Sequence, residues 1–243
     1  MRSLLAAVLL LAITSAHAQP GDAWTRANEE FAAGRFREAL ELYQSAAQAG
    51  ETTAALFYNI GNTHYRLGEF GQAILNYERA LAFDPYQPET QANLRLARDK
   101  ARALELKRSA IERLVVRVTP TQYAITAAVG FWIAAFAVAA SFWSRRCRAS
   151  VLALAALGVA TFVGAIVALY SLEKGADGRS LAIVTAPSIE ARLATADSAG
   201  TVLVLPAGSE VKILSTRGGW SYAQLPNDLR GWIPANSAER VRL

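Results

Sequence analysis

Two long uncharged apolar runs constrain this chain more than any other feature. Residues 123–143 and 151–172 contain no charged side chain over 21 and 22 positions. About 20 helical residues at ~1.5 Å rise each cross a hydrocarbon core of about 30 Å. The sequence therefore predicts two transmembrane helices, at 121–143 and 149–172; the alternative is a buried helical hairpin of a soluble protein. A content of 53% hydrophobic residues favours the membrane.

The residues between and before these runs predict the orientation of the chain. The loop at 144–148 contains Arg145, Arg146 and Arg148, and the positive-inside rule places such a loop in the cytoplasm. Residues 1–18 have the order of a signal peptide, with cleavage expected after Ala18; the alternative is an uncleaved anchor. Both flanking domains are then periplasmic, and the protein is expected to cross a bacterial inner membrane twice.

Other basic residues oppose this orientation. Lys107, Arg108, Arg113 and Arg117 lie close to the first run, on the side assigned to the periplasm. The signal peptide outweighs them, because an exported N-terminal domain makes the first helix a stop-transfer segment. In the second helix Ala156, Ala160, Gly164 and Ala168 recur every four residues, and this stripe is expected to contact the first helix.

The N-terminal half repeats itself at an offset of 34 residues. The matching pairs are Asn28 with Asn62, Gly34 with Gly68, Phe36 with Phe70, Ala39 with Ala73, Tyr43 with Tyr77 and Ala46 with Ala80. This period, and most clearly the copy at 54–87, resembles the tetratricopeptide repeat. An α-helical repeat domain is expected at 22–118, in which residues 88–117 form one long capping helix.

The resemblance to this repeat family implies a peptide-binding groove lined by the first helix of each unit. The groove positions would be Asn28, Tyr58, Asn59, Asn62 and Arg66. Asparagine amides can bind an extended peptide backbone, and Arg66 can bind a carboxylate. The alternative is that Asn28 and Asn62 face water or cap turns. Family members that bind a terminal carboxylate have Lys where Trp24 and Tyr58 stand here.

Short apolar strands separated by Gly and Pro predict an all-β domain at 181–243. The segments Pro206-Ala207-Gly208, Gly218-Gly219-Trp220 and Gly231-Trp232-Ile233-Pro234 resemble the bacterial Src-homology-3-like barrel. Trp220, Tyr222 and Trp232 are candidates to line a groove for a peptide or a cell-wall glycan. The alternative is that the Trp residues hold the small core.

Motifs for catalysis, cofactors and metal ions are missing from the sequence. It has no phosphate-binding Gly-rich loop, dinucleotide fingerprint or nucleophile elbow, and one Cys and two His cannot build a multi-ligand zinc site. The net charge of +5 does not indicate nucleic acid, because residues 119–172 alone contribute +3. We expect a protein that is not an enzyme and has no cofactor.

The order of the modules is more specific than any one of them. Signal peptide, tetratricopeptide repeats, membrane hairpin and SH3-like barrel together resemble the BatE-like proteins of bacterial aerotolerance operons. This resemblance implies a multidomain inner-membrane scaffold whose partners are the lipid bilayer and membrane or periplasmic proteins, including von Willebrand factor A-type Bat proteins. The alternative function is a cell-wall sensor that binds peptidoglycan through the barrel.

Overall fold

The computed structural model describes residues 20–116, 118–143, 148–174 and 178–242. The predicted signal peptide at 1–18 and residues 144–147 of the predicted cytoplasmic loop lie outside the described residues. The chain divides into two compact units, Met1–Glu51 and Thr52–Leu243.

The described residues form a series of α-helices followed by a series of strands, as the sequence predicts. The helices are α1 (Pro20–Ala32), α2 (Phe36–Gln48), α3 (Ala54–Arg66), α4 (Phe70–Phe83), α5 (Pro88–Ala101), α6 (Ala110–Val115), α7 (Pro120–Trp143) and α8 (Arg148–Lys174). The strands are β1 (Leu181–Val184), β2 (Ser188–Arg192), β3 (Thr201–Pro206), β4 (Glu210–Arg217), β5 (Trp220–Gln224), β6 (Arg230–Pro234) and β7 (Ala238–Arg240).

Each of the two sequence repeats folds into a pair of packed helices. Helices α1 and α2 contact each other in the first unit, and α3 and α4 do so in the second. Gly34 and Gly68 stand at the two equivalent turns with φ of 78° and 77°, a left-handed conformation that favours glycine. Gly61 lets α3 and α4 touch, because a Cβ there would lie 2.7 Å from the Tyr77 ring.

The prediction of one long capping helix at 88–117 is wrong. Helix α5 ends at Ala101, and Arg102 turns the chain with a φ of 53°. The next residues bind the C-terminal sheet instead of continuing the helix: Glu210 donates its backbone N–H to the Leu104 carbonyl at 2.8 Å. The Leu104 N–H in turn donates to the Ser209 hydroxyl at 3.1 Å. These long-range hydrogen bonds hold residues 103–109 out of helical conformation.

The C-terminal domain is one antiparallel sheet in the order β3-β2-β6-β5-β4-β1-β7. The all-β prediction is confirmed, but the sheet is open rather than a closed barrel, with β3 and β7 at its edges. Its inner face is an aliphatic core drawn from six strands. That core contains Ala182, Val184, Ile189, Ala191, Leu205, Val211, Ala223, Leu225 and Ile233.

Strand β1 joins the sheet to the second repeat because both of its faces are buried. Ala182 and Val184 belong to the sheet core, whereas Leu181 and Ile183 pack in a second core with residues of α4 and α5. The backbone approach is close: a Cβ on Gly71 of α4 would lie 3.0 Å from the Val184 carbonyl oxygen. The repeat at 54–87 and the sheet are therefore parts of one folded body.

A buried carboxylate strengthens this junction. The Glu210 side chain is fully buried, and it forms ion pairs with Arg98, at the end of α5, and with Arg108 at 3.3 Å. It also accepts a hydrogen bond from the Leu106 N–H at 3.0 Å. Arg98 pairs in addition with Glu78 of α4 at 2.5 Å. Buried charges require such partners, since removing one leaves the others desolvated and unpaired.

Helices α7 and α8 are long and apolar enough to cross a membrane and pack along each other. Their closest approach is at Gly130 and Gly158, where a Cβ on Gly158 would lie 2.6 Å from the Ala134 nitrogen. The predicted contact stripe is wrong: Ala156, Ala160 and Gly164 are exposed. Contact follows the 3.6-residue period through Ala155, Gly158, Ala165 and Ala168, from which a strict four-residue stripe drifts away.

The fold places both ends of this hairpin on the same side. Helix α4 comes before the hairpin in the chain and strand β1 comes after it, yet α4 and β1 pack against each other. An even number of crossings is the arrangement that such packing requires if the helices span a bilayer.

The Glu210 junction generates a stability prediction. Glu210→Gln should lower the free energy of unfolding by about 3–5 kcal/mol, because the charges of Arg98 and Arg108 lose their buried partner. Urea unfolding of the protein in detergent, followed by Trp fluorescence, measures this change. Glu105→Gln is the control: its carboxylate is half exposed, so its loss should change stability by less than about 1 kcal/mol. Equal effects of the two substitutions would contradict the prediction.

Candidate functional site

Helix α3 carries four of the five predicted groove residues. The Thr53 side chain caps its N-terminus by accepting a hydrogen bond from the Leu56 N–H at 3.1 Å. Tyr58, Asn62 and Arg66 are spaced by four residues and therefore share one face of α3. The fifth residue, Asn28, lies on α1 in the first unit and is exposed.

A polar network connects this face of α3 to its neighbours. The Tyr77 hydroxyl of α4 donates to the Asn62 side-chain oxygen at 2.8 Å. The Asn93 amide of α5 donates to the same oxygen at 3.0 Å and to the Tyr58 hydroxyl at 3.2 Å. Burial raises the pKa of Tyr77 well above its usual range, with Tyr58 contributing, so its hydroxyl stays protonated and acts as a donor. The oxygen of Asn62 thus has a structural role.

The first unit has the same contact. The Tyr43 hydroxyl donates to the Asn28 side-chain oxygen at 2.6 Å, so each repeat pairs its Asn with the Tyr 15 residues later. The sequence indicates both Asn and both Tyr as repeat matches but does not predict their contact, for which the equal spacing is the available signal. The alternative interpretation, that these Asn residues face water or cap turns, is therefore wrong for the Asn62 oxygen, whereas Asn28 is exposed.

Two amide groups remain available after the network is formed. In the part of the chain that the structure describes, neither the Asn62 side-chain N–H₂ group nor the Asn93 side-chain oxygen has a hydrogen-bond partner. Both residues are half-buried, so one donor and one acceptor lie beside each other between α3 and α5. This pair is complementary to the C=O and N–H of an extended peptide. Asn93 is absent from the groove predicted from the sequence, because its contact with Asn62 is made from another helix.

Arg66 and Asn59 flank this amide pair differently. Arg66 is exposed at the end of α3, where its guanidinium can reach a carboxylate from solvent. Asn59 is half-buried, and its carbonyl accepts a hydrogen bond from the Thr63 hydroxyl at 2.7 Å.

The three aromatic residues of the sheet lie together on its outer face. Trp220 and Tyr222 alternate with buried residues along β5, and Trp232 lies directly opposite Tyr222 on β6. The Tyr222 and Trp232 rings are 5.0 Å apart between centroids, and all three side chains are half-buried. The inner core is aliphatic, so these rings do not hold it, contrary to the alternative that Trp residues form the core.

Basic residues border this aromatic surface. Arg192 of β2 lies opposite Trp232, and Arg217 of β4 lies opposite Trp220. Arg192 donates to the Ala199 carbonyl at 3.0 Å and pairs with Glu190 at 3.2 Å, whereas Arg217 is exposed. The surface can therefore stack on a flat apolar group and attract an anionic one.

The network generates a prediction that separates structure from binding. Asn62→Ala should lower the free energy of unfolding by about 1–3 kcal/mol, because the buried Tyr77 hydroxyl loses its acceptor. Arg66→Ala, on the same helix face but exposed, should change it by less than about 1 kcal/mol, the contribution of an exposed charge interaction. Thermal and urea unfolding of the two variants measures the difference. An Asn62→Ala protein as stable as wild type would show that the network does not stabilise the fold.

The comparison with known families matches the geometry of α3 and α4. The family model described as Tetratricopeptide repeat matches residues 54–87 of this chain. The matched segment contains α3, its turn and α4, and with them the Asn62–Tyr77 contact. Residues 54–87 form a tetratricopeptide repeat, which is a protein-interaction module rather than a catalytic one.

Proposed function

We propose that this protein is a non-enzymatic scaffold of a bacterial inner membrane that presents periplasmic protein-binding surfaces. The single observation that carries the proposal is the matched repeat at 54–87, packed through β1 onto the sheet that follows the membrane hairpin. A repeat module of this kind supports binding of protein partners, and two apolar helices support attachment to a bilayer.

The periplasmic location of both folded parts rests on the sequence. The predicted signal peptide and the three Arg residues at 145, 146 and 148 favour it. The same-side arrangement of α4 and β1 supports any topology in which the repeat and the sheet share one compartment.

Membership of a Bat-type complex in aerotolerance or envelope stress is the specific form of this proposal. It rests on the order of the modules, which resembles that of BatE-like proteins. The partners would then be membrane and periplasmic proteins, among them von Willebrand factor A-type Bat proteins.

The groove of the scaffold is proposed to lie between α3 and α5. An extended partner segment would form hydrogen bonds with the Asn62 amide N–H₂ group and the Asn93 oxygen, while Arg66 binds an acidic side chain. Tyr58 positions Asn93 through its hydroxyl, and Asn59 stands at the flank of the same surface. In the first unit, Asn28 repeats the position of Asn62.

A binding experiment tests this groove. Arg66→Ala should weaken partner capture by about 1–3 kcal/mol through loss of a charge-assisted hydrogen bond, a larger effect than its change in stability. The measurement is quantitative co-purification of von Willebrand factor A-type Bat proteins with the tagged full-length protein from membranes. Arg95→Ala is the matched control, since Arg95 is exposed and lies about 200° around α5 from Asn93. Equal capture by wild type and both variants would remove the groove from the proposal.

A second candidate function is supported by the outer aromatic surface of the sheet. Trp220, Tyr222 and Trp232, bordered by Arg192 and Arg217, are suited to a peptidoglycan strand, whose sugar faces stack on rings and whose carboxylates attract arginine.

Sedimentation with cell-wall sacculi separates the two functions. If the sheet is a wall sensor, the full-length protein in detergent should sediment saturably with purified sacculi, and Tyr222→Ala should lower that affinity by about 1–3 kcal/mol. Leu229→Ala, which truncates an exposed apolar residue outside the aromatic surface, is the control. Our first proposal expects no saturable sedimentation, and sedimentation lost only in Tyr222→Ala would support the sensor instead.

A further inference from the structure

A polar pocket of about 390 Å³ lies between the sheet and the segment that leads into α7. Its charged and hydroxyl-bearing lining consists of Lys107, Arg108, Ser109, Glu112, Lys212 and Asp228. The first four belong to the chain just before and within α6, and the other two belong to the sheet domain. The pocket therefore exists because residues 103–109 leave the helix and run along the sheet.

Positively charged side chains outnumber negatively charged ones in the pocket lining, by three to two. Lys107 and Lys212 have no ion-pair or hydrogen-bond partner for their ammonium groups among residues 20–116, 118–143, 148–174 and 178–242. The two lining carboxylates already accept hydrogen bonds: Glu112 from the Ser109 N–H at 2.8 Å, and Asp228 from the Gln224 amide at 3.3 Å. Two uncommitted ammonium groups in one concave site favour an anionic ligand.

The pocket lies close to the level at which α7 enters its apolar run. Helix α6 packs on α8, and the Tyr123 hydroxyl of α7 donates to the Val115 carbonyl at the end of α6, at 3.3 Å. Leu114 is 66% exposed and Val116 43% exposed, as expected for side chains in contact with lipid rather than water. From Ser109 to Val115 the helix rises only about 9 Å, so the pocket lies at headgroup depth if α7 spans the bilayer.

We propose that this pocket binds the phosphate of an anionic phospholipid from the leaflet that adjoins α6. Lys107 and Lys212 contact the phosphate oxygens, and the acyl chains extend past Leu114 and Val116 toward α7 and α8. The proposal rests on insertion of the hairpin into a bilayer but not on partner binding by the groove. It also gives a physical reason for basic residues beside the first apolar run on the side where the positive-inside rule disfavours them.

A lipid titration tests the proposal. The full-length protein in detergent is titrated with dioleoyl phosphatidylglycerol, and bound lipid is counted by native mass spectrometry. Dioleoylglycerol, which lacks the phosphate, and inorganic phosphate, which lacks the chains, are titrated in parallel. The test variant is Lys107→Gln/Lys212→Gln, and the matched control is Arg95→Gln/Lys100→Gln, which removes two exposed positive charges from α5.

We expect the phosphatidylglycerol affinity to fall at least tenfold in Lys107→Gln/Lys212→Gln and to stay unchanged in the control, with no comparable binding of dioleoylglycerol. Equal losses in both double variants would show unspecific charge attraction and overturn the proposal. Inorganic phosphate that binds as tightly as the lipid would overturn it in favour of a soluble anion. Alkaline extraction that releases the protein from membranes would contradict the membrane anchor itself, whereas a failed titration with retained anchoring contradicts only the lipid site.

Discussion

Strand β1 is buried on both faces, and the arrangement of the second unit depends on that burial. Ala182 and Val184 complete the sheet core, while Leu181 and Ile183 complete the core beneath α4 and α5. A four-residue strand with no face left for water has to be covered by two different layers. The buried Glu210 carboxylate connects those layers, because it pairs with Arg98 at the end of α5 and with Arg108 in the segment before α6.

Local sequence patterns predicted most of the helices and the all-β character of the C-terminal domain. They could not predict features that depend on contacts between residues far apart in the sequence. The 34-residue match, which includes Gly34 with Gly68, identified the two helix pairs, because the left-handed backbone at both glycines is a local property of the chain. The interruption of the predicted 88–117 helix depends on Glu210, which is over 100 residues away from Leu104 and Leu106. No periodicity within 88–117 contains that information. That the sheet is open rather than closed was not predicted for the same reason. Strand β1 pairs with β4 and β7 and is covered by α4 and α5, and these partners are distant from it in the sequence.

The candidate site was predicted in part for a related reason. Repeat matching identified the face of α3 that carries Tyr58, Asn62 and Arg66, because spacing by four residues fixes a helix face. It could not show that the Asn62 oxygen is occupied by Tyr77 and Asn93, since each comes from another helix. Which atoms of a polar side chain remain free for a partner is a property of tertiary packing, and a single sequence gives only the residue type.

The sheet also explains how so short a repeat array is stable. Two repeats expose an apolar end surface on the last helix pair, and a third repeat or a capping helix usually covers it. Here α5 packs on that surface, and Leu181, Ile183 and Val241 of the sheet domain pack around Ile74 and Leu94. The sheet domain therefore stands where a further repeat would stack. Strand β1 of this sheet is also the first element after α8, so the hairpin formed by α7 and α8 is joined at both of the hairpin's ends to the body that contains the repeat at 54–87. A partner held on α3 would consequently be positioned relative to the hairpin by packed cores rather than by a linker.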